Sequence, residues 1–196
     1  MTGGEVVARR EIVGGLALLG LAAVPSLRSH PPAWEMGWFR AVNDLPDCWH
    51  VPVWPVMQLG ALAAAPATAL AALAAGEPRL ARRLVVGGTA VWATAKVVKR
   101  LVVRARPPAF SADARVRGPE AGGLGFPSGH AAVATTLAGA AVMSVPPRLR
   151  PLVVAAAVTV AASRVYVGAH LPLDVLGGTA LGLVVDGVLR LPGPKA

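Results

Sequence analysis

The chain has 196 residues, 55% of them hydrophobic and 15% charged, with a formal net charge of +9. That is too apolar for an ordinary soluble domain and too short for several domains. The single cysteine, Cys48, excludes an internal disulfide and any zinc–cysteine cluster, and with no partner residues around it reads as a bystander.

In chain order, Arg9 and Arg10 precede a first apolar segment at about 12–27. It has no clear small-residue cleavage site and further apolar segments follow, so it does not read as a cleaved signal. Those further segments run at about 51–75, 84–103, 131–145, 152–167 and 173–191. A bilayer core of about 30 Å needs ~20 helical residues, so the first, fourth and fifth must borrow flanking residues. No period-2 alternation is sustained, and Ala and Leu are good helix formers. Backbone groups in lipid must also be satisfied within their own segment. The expected fold is all-α: an integral membrane bundle of six transmembrane helices, in a single domain over residues 1–196.

Gly178 and Gly182 in the last segment are spaced for close helix packing. Asp186 is a costly intramembrane acid, and its place near the segment's end predicts a structural, interfacial role. Nine of the 19 Lys and Arg residues fall on one side: Arg9, Arg10, Arg79, Arg82, Arg83, Arg148, Arg150, Arg190 and Lys195. Their loops are short and poor in acids, which predicts cytoplasmic termini on both ends of the chain. The other ten lie opposite, where several share loops with acids. Trp34, Trp38, Phe39, Trp49, Trp54, Phe110, Phe126 and Tyr166 map to that opposite face and predict an interfacial aromatic belt.

Polar groups interrupt the apolar pattern in three places. Lys96, Lys99 and Arg100 occupy a stretch that should be apolar, and Arg106-Pro107 marks its exit. Snorkelling accounts for one lysine but is strained for the whole run. The fourth segment opens at Pro127-Ser128-Gly129-His130, with Ser128 as the expected N-cap and Gly129 leaving its N–H approachable. A helix N-terminus of this kind favours an anion. The fifth segment ends at Ser163-Arg164, and His170 follows with Asp174 four residues on, neighbours if that turn is helical. Alternating spans bring all three clusters to one membrane face. Lys99, Arg106 and Arg164 can neutralise a phosphoryl group there, Arg with paired planar donors and Lys as a point charge. A neutral histidine can act as nucleophile or proton donor, and a carboxylate on one ring nitrogen fixes its tautomer.

Together, Lys99-x6-Arg106-Pro107, Pro127-Ser128-Gly129-His130 and Ser163-Arg164-x5-His170-x3-Asp174 resemble the three-part signature of the type 2 phosphatidic acid phosphatase superfamily. These are integral membrane lipid phosphate phosphatases with soluble relatives among acid phosphatases and vanadium haloperoxidases. The motifs span about two fifths of the chain, complete and in order. The resemblance implies that His170 attacks phosphorus and Asp174 orients it. It implies that His130 serves as acid and then base, while Lys99, Arg106, Ser128, Gly129 and Arg164 bind phosphoryl oxygens. It implies no metal and no cofactor, in keeping with the lack of an acidic cluster suited to magnesium, and inhibition by vanadate.

The expected partners are a lipid phosphate substrate and the bilayer, with no nucleic acid. The expected setting is a bacterial plasma membrane, given the Ala/Gly/Val/Arg-heavy composition, with the site extracytoplasmic. The substrate options are polyprenyl diphosphate, phosphatidate and polyprenyl-linked sugar phosphates. The alternatives are a phosphotransferase with an acceptor pocket in the loops 29–50 or 107–126, and a non-enzymatic lipid-binding or transport protein.

Overall fold

The structure is a computed structural model in which residues 3–119 and 122–192 are described. Lys195, used above in the charge asymmetry, lies outside them. Among the described residues the regular structure is entirely helical.

Eight α-helices follow one another: α1 (Gly3–Ser26), α2 (Ala33–Asn43), α3 (His50–Met57), α4 (Ala64–Ala74), α5 (Pro78–Leu101), α6 (Gly129–Val142), α7 (Arg150–Tyr166) and α8 (Pro172–Arg190). Local chemistry sets several starts. Proline occupies the first position of α5 and α8, where its missing N–H is no loss. Ser128 caps α6 as expected, its Oγ accepting from the Ala131 N–H at 3.4 Å.

The helices pack through small residues. A Cβ on Gly178 would collide with the Ser128 carbonyl and Ala131, and one on Gly182 with Thr135 and the Ala132 carbonyl. This is the close approach expected of that pair, and it seats α6 on α8. Gly15 and Gly187 similarly let α1 lie along α8. The core between α4, α5, α6 and α8 is built from Ala65, Leu84, Val91, Ala132, Val133, Leu137 and Leu181.

Three departures from the sequence reading stand out. The segment at 51–75 is not one helix. It breaks at the 3₁₀ turn Gln58–Gly60, and its two halves are bent by 79°. Gly60 is buried where a side chain would strike the His130 carbonyl and Val160, so the break lets the backbone press against the start of α6. Second, α2 is a helix where the sequence suggested a loop. It places Phe39 in a buried cluster with Met36, Val165 and Leu171. Phe39, Phe126 and Tyr166 are therefore interior, while Trp34, Trp38 and Trp49 are exposed as a belt requires.

Third, the six-span count is not established. By length and composition, Pro147–Tyr166 and α8 qualify to cross a membrane, with the bent pair of α3 and α4 as a third candidate. At 14 residues α6 is apolar but short, and α1 and α5 are long but carry charged residues at their ends.

At the end of the bundle away from the three motifs, Asp186 is 3% exposed. It pairs with Arg83 at 3.0 Å and Arg190 at 2.6 Å, and Arg190 also reaches Glu11 at 3.2 Å. Asp186 thus has the structural role its position predicted, tying α1, α5 and α8 together.

Candidate active site

The C-terminal end of α5, the N-terminus of α6, the C-terminal end of α7 and the N-terminus of α8 meet at one end of the bundle. A cavity of about 210 Å³ opens between them, lined by Lys96, Lys99, Arg106, Gly129, His130, Arg164 and His170 among others. Four of its lining side chains are cations and, among the described residues, none is an acid, so it is built for an anion. A second cavity of about 640 Å³ shares Arg106, His130 and Arg164 and extends under the loops past Trp54, Pro108 and Arg117.

His170 sits in the turn between α7 and α8. The turn is made by Gly168, whose φ of 74° suits glycine, and the Ala169 and His170 N–H groups both donate to the Arg164 carbonyl at 3.1 Å. The imidazole is buried. Its Nδ1 lies 3.5 Å from Asp174 Oδ2, an ion-pair contact too long for a hydrogen bond in the resting site. The same oxygen accepts the Leu171 N–H at 2.9 Å. Asp174 thereby caps α8 and faces His170, as the i,i+4 spacing implied. Burial pushes the His170 imidazole down to about 4, against the opposing pull of Asp174. His170 is therefore neutral near pH 7, with Nδ1 toward the carboxylate and Nε2 toward the cavity.

The cations differ in how committed they are. Lys99 Nζ donates to the Leu124 and Gly125 carbonyls at 2.7 and 2.8 Å, which leaves one of its three protons for the cavity. Arg106 donates to the Gly122, Gly123 and Ala169 carbonyls, and its Nη1 lies 3.3 Å from His170 Nε2. Arg164 is the least satisfied: one Nη contacts the Met57 sulfur, and its buried Nε has no partner among the described residues. An anion in the cavity would satisfy it. Lys96, one turn before Lys99, lies over the Trp92 ring at 5.2 Å.

Ser128 and Asp174 do not line the cavity. Ser128 is fully buried and its Oγ accepts the Ala131 N–H; its own proton is free to donate. Gly129 and His130 both line the cavity.

Sequence reasoning missed Glu35 and Arg104. Both are buried. Arg104 Nη1 donates to Asp174 Oδ1 at 2.9 Å and Glu35 Oε1 at 3.0 Å, and Nη2 donates to Glu35 Oε2. Glu35 Oε1 also accepts the Leu173 N–H at 2.9 Å, in the first turn of α8. Pro31-Pro32 with the acid Glu35 three residues after Pro32, in what would be the first turn, is a helix-start signal that could have revealed α2. Arg104 was masked by the run of cations around it.

The family model for the PAP2 superfamily matches residues 79–191. An undecaprenyl-diphosphatase from Sulfolobus acidocaldarius is 32% identical over 117 residues, covering 60% of this chain and 57% of that protein. A decaprenylphosphoryl-5-phosphoribose phosphatase from Mycobacterium tuberculosis is 37% identical over 119 residues, covering 59% and 64%. The match thus spans less than two thirds of either relative's length. In fold, the chain resembles the transmembrane PAP2-type phosphatidylglycerolphosphate phosphatase from Bacillus subtilis, with a TM-score of 0.73, 21% identity and coverage of 92% and 94%. It also resembles LpxE from Aquifex aeolicus, with a TM-score of 0.73, 20% identity and coverage of 83% and 97%.

Proposed function

The chain belongs to the PAP2 superfamily, and on that premise we propose that it removes phosphate from a membrane lipid phosphate or diphosphate, of polyprenyl diphosphate or phosphatidate type. The observation that carries this reading is a cationic cavity with no acid among the described residues, in which Arg164 keeps a buried Nε that none of them partners, beside two histidines. The names of the two curated relatives, both phosphatases acting on prenyl-linked substrates, support the prenyl option.

In the proposed reaction Lys99, Arg106, Arg164 and the Gly129 N–H bind the phosphoryl oxygens, and the Ser128 hydroxyl, which does not line the cavity before substrate binds, joins them only if the start of α6 shifts. Binding draws Arg106 from His170 Nε2 toward phosphate. Nε2 attacks phosphorus, and a P–N bond forms as the P–O bond to the leaving group breaks. His130 gives its proton to that departing oxygen. Water then attacks phosphorus and passes a proton to His130. The P–N bond breaks, phosphate leaves and His170 is restored. Asp174 steadies the imidazolium character that builds on His170. The work is mostly positioning and charge stabilisation, and it needs no metal.

We read the chain as a single domain spanning a bacterial plasma membrane six times, through α1, the bent α3–α4 pair, α5, α6, α7 and α8. Both termini are then cytoplasmic and the site extracytoplasmic. The larger cavity beneath the loop 107–119 favours a second reading, transfer of the phosphoryl group to an acceptor other than water.

The test is a panel of lipid phosphates and diphosphates with purified protein in detergent, measuring phosphate release with and without EDTA, beside His170→Ala. Release that resists EDTA and disappears in the variant supports hydrolysis. Activity surviving His170→Ala, or lost with EDTA, sinks the mechanism. Substrate loss without matching phosphate release favours the transferase.

A further inference from the structure

We propose that Glu35 and Arg104 are positioning residues: from α2 and from the loop after α5, they hold Asp174 against His170 and set the charge behind the nucleophile. The inference rests on the reading of His170 as the attacking group.

Asp174 cannot be placed by α8 alone. One of its oxygens is fixed by the Leu171 N–H and faces His170, but the other is held only by Arg104 Nη1 at 2.9 Å. Arg104 in turn is gripped on both sides of its fork by Glu35. Glu35 is anchored to the first turn of the same helix through the Leu173 N–H. The result is a closed ring of contacts, Asp174–Arg104–Glu35–Leu173, that leaves the carboxylate one orientation. A bidentate guanidinium gives that kind of geometric control.

The charges add a second argument. The ring holds two carboxylates and one guanidinium, all 3% exposed or less. Counted within the ring alone, its net charge is −1 while His170 is neutral. When His170 takes on positive charge during attack, the cluster becomes balanced. A buried, fixed charge matched to the transition state rather than to the resting site is electrostatic preorganisation. Without Glu35, Arg104 would neutralise Asp174 in the resting site and weaken its hold on the imidazolium. The other groups around His170 are cations or histidine: Lys99 on α5, Arg106 in the loop, His130 on α6 and Arg164 on α7. Among the described residues, the negative charge beside His170 comes from this ring.

The test compares wild type with Glu35→Gln, nearly isosteric but uncharged, and Glu35→Asp, which keeps the charge. Two readouts are taken on folded, monodisperse protein: kcat and KM on the substrate found by the panel, and the pH titration of the His170 ring by NMR, assigned by the signal lost in His170→Ala. Glu35→Gln should lower kcat about tenfold or more with KM within about twofold, as expected for a contact made in the transition state. It should also shift His170 titration to lower pH, because a negative charge behind Asp174 has gone. Glu35→Asp should recover most of both. An unmoved titration, or a loss of activity that only tracks loss of folded protein, overturns the proposal. If wild type acts on no substrate, the functional reading fails, and the titration alone decides the coupling.

Discussion

Arg164 and His170 show how single residues set the chemistry. Arg164 keeps a buried donor without a partner among the described residues, so Arg164→Lys, which loses the planar fork, should raise KM for substrate and weaken vanadate inhibition by about tenfold or more, as read from inhibition curves. His170 is held neutral by burial, down to about pH 4. The sign follows from the proposed reaction, in which the neutral ring is the nucleophile: kcat/KM should be insensitive to its titration from pH 7 to about 5 and fall as pH drops through about 4. An acid limb near the free-histidine value of ~6.5 would contradict the buried, depressed nucleophile. Asp174→Asn should lower kcat by roughly 10²–10⁴ in steady-state assays, by analogy with the carboxylate of a catalytic triad. The residues that meet phosphate in this account were legible because their chemistry sits at fixed spacings in three short motifs. Glu35 and Arg104 were not legible, because their partner is reached only through folding: Glu35 lies 69 positions from Arg104 in sequence. No local pattern encodes such a contact.

At the scale of elements, the break between α3 and α4 matters more than any helix length. Apolar content alone read 51–75 as one span, since hydropathy does not register direction. The signals for the break were present in Pro52, Pro55, Gly60 and Pro66, but its purpose appears only in the packed state, where Gly60 abuts the His130 carbonyl. Gly60→Ala should therefore destabilise the protein by about 1–3 kcal/mol through overpacking and lower activity by moving His130. Gly14→Ala, which meets open space, should stay within about 0.5 kcal/mol of wild type. Thermal unfolding in detergent compares the two, and equal effects would remove the argument for close approach. The Gly178–Gly182 contact was legible because small-residue spacing is itself the physical cause of helix proximity.

Across the whole molecule, two polar clusters occupy opposite ends of an apolar bundle. The motif end holds the cationic cavity. The other end holds Asp186 between Arg83 and Arg190. Asp186→Asn leaves Arg83 without its carboxylate and Arg190 with Glu11 alone, and should cost about 3–5 kcal/mol of stability while folded protein keeps its kcat. A matching fall in kcat would mean that the two ends are coupled. The helical class and the convergence of the motifs were legible, because apolar runs and alternating direction follow from chain order. The number of spans was not, since α5 and α6 compromise length or apolarity to build the site. Orientation is tested with Asp113→Cys in a Cys48→Ser background, where an impermeant thiol reagent added outside intact cells should label it; labelling only after lysis would reverse the topology. The most direct test of the central claim is rapid acid-free quenching during turnover of a ³²P-labelled lipid substrate, followed by peptide mapping of the protein. The account predicts an acid-labile, base-stable phosphoryl group on the peptide containing His170, absent from His170→Ala. Turnover by wild type with no labelled protein intermediate, or label that persists in His170→Ala, would contradict it.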